Sequence, residues 1–399
     1  MAEEYFPVFI QPVYSYSLNW NGYNLVFRED IPIAESLFFP LGEEWAAFAS
    51  IPDFRFFFSL NPDWLRRGMP GMPFPAHQVV FILQPGQVLD GDLMARCEEM
   101  ETQGFRFAVI SDADSLLSHS KVASIAVLSA AEAKEKIPAG VWKLKQNDIK
   151  LFVTGINSKE LFKWCADKQF AFHTFASLDG FRNPKDHQQG SSKPSLMKLL
   201  TLVSQDAENH EIELALRQEP KLSFDLLRLV NSASMGMHAR VSSFSHALTI
   251  LGRRQLQRWL QLLVFAHQKE GESGPCILMQ RAAARGRLME LLTESATQSP
   301  SLEFQEQAFM VGIFSLLDIL MNMPMAEILK ILLLADSLDA ALSRREGTLG
   351  EMLKLVESAE NLDFDSAAQQ MSKLKVAPEA FCLAQASALN WTHQINIAE

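Results

Sequence analysis

"GFRNPKDHQQGSSKPS", residues 180–195, holds Pro, Gly, Ser, Gln and charge with almost nothing apolar. Such a stretch offers no face to bury, so it reads as a linker, and the sequence on its two sides follows two different periods. On the N-terminal side lie short β-type runs: "RFFFSL" (55–60), "QVVFILQ" (78–84), "FRFAVIS" (105–111), "ASIAVLS" (123–129), "IKLFVTGI" (149–156) and "FAFHTFAS" (170–177). Two strands before them, about 6–17 and 23–28, form a hairpin in which Asn21-Gly22 of "NGYNLVFRED" (21–30) is the expected turn. Helical stretches fall between the runs, most clearly 89–103 and 157–168, the latter opening on Asn157 or Ser158 as a cap. Continuous apolar strands alternating with helices are strands buried on both faces, hence a mainly parallel sheet or barrel. Eight strands in roughly 180 residues suggest a trimmed (β/α) barrel.

From Leu196 onward the period is 3.6. "LLRLVNSAS", "HALTILG", "LQRWLQLLVFAH", "FMVGIFSLLDIL", "MAEILKILLLA" and "LGEMLKLVES" all space apolar residues as helices do. The expected division is therefore an α/β barrel domain at 1–182, a linker at 183–194 and an all-α domain at 195–399.

Totals narrow the function. The 399 residues are 48% hydrophobic and 21% charged, as in soluble globular chains. A net charge of -11 argues against a nucleic-acid partner, since neutralising many phosphates takes a surplus of Lys and Arg. The one basic stretch, "LGRRQLQRW" (251–259), reads as a solvated helix face. Cys97, Cys165, Cys276 and Cys382 are far apart and form no Cys-x-x-Cys pair, so neither zinc nor a disulfide framework is indicated and a reducing, cytoplasmic setting is expected. "MAEEYFPVF" puts acidic residues where a signal peptide needs basic ones. The most apolar long segment, 308–335, is interrupted by Asp318, Pro324, Glu327 and Lys330, and is expected to form two buried helices and no membrane span.

"LLRLVNSASMG", "SSFSHALTILGRRQLQRWLQLLVF", "AFMVGIFSLLDILMNMPMAEILKILLL" and "ALSRREGTLGEMLKLVESAE" follow one another as in HDOD domains. "FIQPVYSYSLNWNGYNLVFRE", "GFRFAVISDAD" and "FAFHTFAS" are similar, more weakly, to the opening hairpin, fifth strand and last strand of EAL domains. The whole resembles bacterial signalling proteins that join an EAL domain to an HDOD domain. That resemblance implies a TIM-like barrel followed by a helical, HD-related domain.

Active EAL domains are implied to be phosphodiesterases of cyclic di-GMP that use divalent cations held by Glu, Asp and Asn at the strand ends. Laid on this sequence, the first Glu falls on Asn24 and the motif Arg on Arg28. The Asn of the next strand falls on Ser59, and the Glu of the fourth strand on Ile82. The paired Asp fall on Ile110 and Ser111, the Lys and Asp of the sixth strand on Ala126 and Leu128, the two Glu after the seventh on Thr154 and Asn157, and the last Gln on His173. Ile, Ala and Leu offer no lone pair to Mg²⁺, so a degenerate, non-catalytic barrel is expected. The nearest carboxylates out of register are Glu29, Asp30, Asp112 and Asp114.

In the second half no His-Asp dipeptide occurs; Asp186-His187 is reversed, and Leu317-Asp318 stands where a His-Asp is expected. Asp318 is expected to meet a helix end or an Arg. His210, His238, His246 and His267 make no His-x-x-x-His pair. Asn231 and Ser232 match the HDOD signature, and with Arg253 and Arg254 they are the interaction candidates of this half. The function expected is a regulatory module for other signalling proteins, without cofactor or catalysis and with no role at a membrane. Homo-oligomerisation is left open. The alternative is a receptor that binds cyclic di-GMP through Arg28 and Asn24, and third an active phosphodiesterase.

Overall fold

A computed structural model describes residues 8–28, 38–51, 53–59, 65–66, 74–84, 91–110, 124–130, 149–180, 193–217, 226, 244–266, 277–297 and 299–396. Eight strands close into a barrel in sequence order: β1 Phe9–Tyr14, β2 Trp20–Val26, β3 Arg55–Ser59, β4 Val79–Leu83, β5 Arg106–Ile110, β6 Ile125–Ser129, β7 Lys150–Ser158 and β8 Phe172–Gly180. β1 runs antiparallel to both its neighbours, while β2 through β8 pair in parallel. Helices α1 Phe38–Glu44, α2 Gly91–Thr102 and α3 Lys159–Asp167 lie between strands. Of the two cap candidates for α3, Ser158 takes the role, its hydroxyl accepting from the Leu161 N–H at 3.2 Å.

Side chains alternate along each strand, so one phase fills the barrel. That phase holds Val13, Phe57, Val80, Ile82, Ala108, Ile125, Val127, Phe152 and Phe172, with Ile110 packed against them. Phe57 sits at the centre, 4.6 Å from Phe152 and 5.1 Å from Phe172 between ring centroids. The opposite phase of β2 and β3 carries a second aromatic layer, in which Tyr23 stacks on Trp45 at 4.6 Å and meets Phe48 and Phe54 edge-on. Gln78, fully buried, staples this layer by donating to the carbonyls of Ile51 (2.8 Å) and Phe48 (3.0 Å).

The β1–β2 turn corrects one expectation. Asn21-Gly22 is not the turn: Gly22 lies within β2, in register with Val13 and with Arg55 of β3. The chain reverses at Ser15–Asn19, where the Ser15 hydroxyl accepts from the N–H groups of Asn19 (3.1 Å) and Ser17 (3.3 Å) and Leu18 takes φ 63°. Glycine is required at 22 for a different reason, since a Cβ there would stand 2.1 Å from the Arg55 carbonyl oxygen.

The C-terminal half is helical: α4 Lys193–Ser204, α5 Asn209–Arg217, α6 Phe244–Ala266, α7 Ile277–Ala296, α8 Leu302–Phe314, α9 Leu317–Met321, α10 Met325–Leu332, α11 Asp336–Arg344, α12 Gly347–Glu360, α13 Phe364–Leu374 and α14 Pro378–Asn396. α4 begins inside the stretch read as linker. α6 is broken at Gly252, whose φ of 72° interrupts the helical backbone. Where two buried helices were expected, α8, α9 and α10 stand, separated at Ser315–Leu316 and at Asn322–Pro324. Asp318 meets a helix end as expected, accepting from the Ile319 N–H at 2.9 Å in the first turn of α9. By length and composition alone, residues 302–321 pass as a membrane span, and 56% of that window is buried.

Two compact units divide the chain: residues 1–181 with 357–372 and 377–386, and residues 182–356 with 373–376 and 387–399. The expected helical domain at 195–399 therefore does not coincide with one unit. The cause is apolar: Phe364 and Phe381 pack on Phe9 of β1, and Phe381, Cys382 and Ala386 are fully buried.

Candidate functional site at the barrel mouth

In parallel barrels the chemistry gathers where the strands end, because the loops that follow them converge there. Register fixes which residues look inward at that end. Asn24 pairs across β3 with Phe57, Val26 with Ser59, and Ser59 with Ile82. Ile110 is in register with Val127, and Ser129 with Thr154. Gln11 lies opposite Asn24, and the Asn24 amide donates to the Gln11 Oε1 at 3.4 Å. Both are buried, and the Asn24 Oδ1 has no hydrogen-bond partner among the described residues.

The predicted positions are thus inward at Asn24, Ser59, Ile82, Ile110 and Thr154. Three assigned residues, on two strands, are in the wrong phase. On β6 the inward residues are Ile125 and Val127, so Ala126 and Leu128 face away from the barrel interior. On β8 Phe172 points inward, which turns His173 outward and leaves Thr174 as the inward neighbour. Asn157 is exposed near the end of β7. Ser111, Glu29, Asp30, Asp112 and Asp114 lie outside the described residues.

His173 is fully buried. Its Nδ1 stands 3.2 Å from the Tyr14 carbonyl oxygen, its ring meets Phe162 edge-on at 5.7 Å, and its Nε2 has no partner among the described residues. Desolvation pushes its pKa down to about 4, so the ring is neutral and Nδ1 carries the proton that the carbonyl accepts. The Thr174 hydroxyl accepts from the Gly155 N–H at 3.1 Å.

A hard divalent cation wants six or more oxygens with carboxylates among them. The described inward set supplies two amides, hydroxyls and aliphatic groups, and that set does not fit such an ion. Among the described residues no group of three or more His, Cys, Asp and Glu side chains converges anywhere. Arg28 follows β2 and is half-buried, its Nη1 donating to Asp365 Oδ1 at 2.8 Å.

The interaction candidates of the helical half divide. Asn231 and Ser232 lie outside the described residues. Arg253 is engaged at the α4–α5 turn: it donates to the Asp206 carboxylate at 2.8 and 3.1 Å, to the Asp206 carbonyl at 2.9 Å and to the side chain of Asn209. Gln257 adds a bond of 2.6 Å to the same carboxylate. The Arg253 bond chiefly holds the Asp206 carboxyl below its usual range. Asp206, itself at φ 52°, is thus paired with Arg253. Arg254 pairs with Glu306 of α8. Behind them Arg258 pairs with Glu290 and lies 4.8 Å above the Phe309 ring, while Arg287 holds the other Glu290 oxygen at 2.7 Å. Sequence reasoning missed this network, because arginines on the buried side of a helix look like solvated ones until their partners on α7 are in place.

An eight-stranded closed barrel followed by a helical region is the class the fold defines, and the family model for the HDOD domain matches residues 193–337 of that region. The chain therefore carries an HDOD domain. It is 31% identical over 201 residues to cyclic di-GMP phosphodiesterase CdgJ of Vibrio cholerae serotype O1, a match covering 50% of this chain and 45% of that relative. The chain thus spans less than half the length of that relative. It is also 21% identical over 353 residues to protein YuxH of Bacillus subtilis (strain 168), covering 86% of this chain and 84% of that one. Among solved structures the barrel half is similar to an EAL domain protein from Listeria monocytogenes EGD-e, with 9% identity, a TM-score of 0.33, and coverage of 43% of this chain and 85% of that one.

Proposed function

We propose that this chain is a non-catalytic regulatory protein of cyclic di-GMP signalling, whose degenerate EAL-type barrel and HDOD domain present interaction surfaces to other signalling proteins in the cytoplasm. One observation carries the reading: the inward positions toward the strand ends are Asn24, Ser59, Ile82, Ile110, Val127 and Thr154, where hydrolysis needs carboxylates to hold its cations. The apolar packing that builds a barrel is retained while the donors are replaced. In-line attack on phosphorus has no described group to gather the metals or the water.

The test is incubation of the purified chain with cyclic di-GMP and Mn²⁺ or Mg²⁺. No linear dinucleotide is expected, and turnover abolished by substituting Asp112 or Asp114 would overturn the reading. A receptor function is the second reading, favoured by Arg28 just past β2 and by the Asn24 oxygen of the same strand, which has no partner among the described residues. Isothermal titration with cyclic di-GMP on wild type and Arg28→Ala separates the two, since a receptor binds and loses affinity with the arginine.

A further inference from the structure

The mouth-side end of β1 receives the chain's own C-terminal residues. Phe9 is in the inward phase of Gln11 and Val13 and is in register with Val26, the last residue of β2. Phe364, which opens α13, stacks on Phe9 with centroids 4.3 Å apart and planes at 18°, and Phe381 of α14 meets the same ring edge-on at 6.3 Å. Beside the stack, Asp365 takes the Arg28 guanidinium at 2.8 Å.

The backbone is completed in the same place. β1 and β8 share one registered pair, Tyr14 with His173, so among the described residues Val8 and Ile10 have no partner strand on that edge. The Gln385 side-chain amide substitutes for one, donating to the Val8 carbonyl at 2.9 Å and accepting from the Ile10 N–H at 3.4 Å. The Trp45 indole N–H then donates to the Ala386 carbonyl at 3.3 Å. An aromatic face for a base and a guanidinium for a phosphate are what a nucleotide seeks. Here a ring and a carboxylate from the same chain meet both.

We propose that residues 364–372 and 377–386 form a self-docked cap on the β1–β2 side of the barrel mouth, which a phosphate-bearing ligand of Arg28 must displace. The cap's identity as an obstacle to nucleotide rests on the receptor reading; its seating does not. The experiment is hydrogen exchange on the full chain, comparing wild type with Phe364→Ala and with the milder Gln385→Ala. The amides of Phe9 and Ile10 are expected to exchange about tenfold faster in either variant, with Val80–Leu83 of β4 within about twofold of wild type. Unchanged rates at Phe9 and Ile10 overturn the cap. So does acceleration spread equally over β4, which would make these helices inseparable core. Titration with cyclic di-GMP adds the ligand arm: at least about fivefold tighter binding to Asp365→Asn than to wild type is expected, and equal binding overturns the obstacle. Binding to neither chain sinks the receptor reading and leaves the cap to the exchange result.

Discussion

His173 is a fully buried imidazole whose pKa lies near 4 in the folded chain against 6.5 when free, and His393 of α14 is shifted the same way by desolvation. The unfolded chain binds more protons than the folded one between those values, so stability is whole above pH 6.5 and falls as pH drops toward 4. Each imidazole accounts for a loss on the order of 3 kcal/mol across that window. Urea midpoints measured at pH 7.5 and 4.5 check this, and a flat profile would mean the rings protonate without unfolding. Arg253 belongs to the same scale. Replacing it with Ala frees the Asp206 carboxylate and the α4–α5 turn, at a cost of about 1–2 kcal/mol after allowing for its partial exposure. Thermal unfolding of the variant measures it. Reading His173 as inward failed because both faces of a barrel strand are apolar, and in "FAFHTFAS" nothing local tells one phase from the other. Asn24 lies in the inward phase of β2, in register with Phe57.

At the scale of elements, the strands were legible because runs such as "QVVFILQ" have nowhere to go but between two layers. Turn chemistry misled. Asn-Gly is a strong hairpin signal, yet here glycine serves the close approach of β2 to β3 and the Ser15 hydroxyl makes the turn. Gly22→Ala is therefore expected to destabilise by roughly 1–3 kcal/mol or more through overpacking against main chain, which cannot yield as a side chain does. A denaturation midpoint within error of wild type would refute that account. Gln385→Leu should cost about 1–3 kcal/mol by stranding the Val8 and Ile10 backbone groups, with the loss seen in the same unfolding measurement.

For the molecule as a whole, the decisive fact is that the sequence boundary at 183–194 is not the only crossing between units. Residues 357–372 and 377–386 complete the barrel unit although they lie at the far end of the chain. A fragment ending at residue 182 would leave Phe9 without Phe364 and Phe381, and is expected to aggregate or unfold at lower temperature than the barrel in the full chain. The complementary fragment 195–399 would expose Phe364, Phe381 and Cys382, so a soluble, monodisperse fragment without added detergent would contradict the division. Light scattering on both pieces decides the matter. What the sequence determined alone was local: period and composition made a β/α half and a helical half. What only tertiary structure decided were the pairings across long separations, such as Gln385 on β1, Asp365 on Arg28 and Asp206 on Arg253. The reason is that period records which face a residue buries, whereas its partner is chosen by where a distant segment returns.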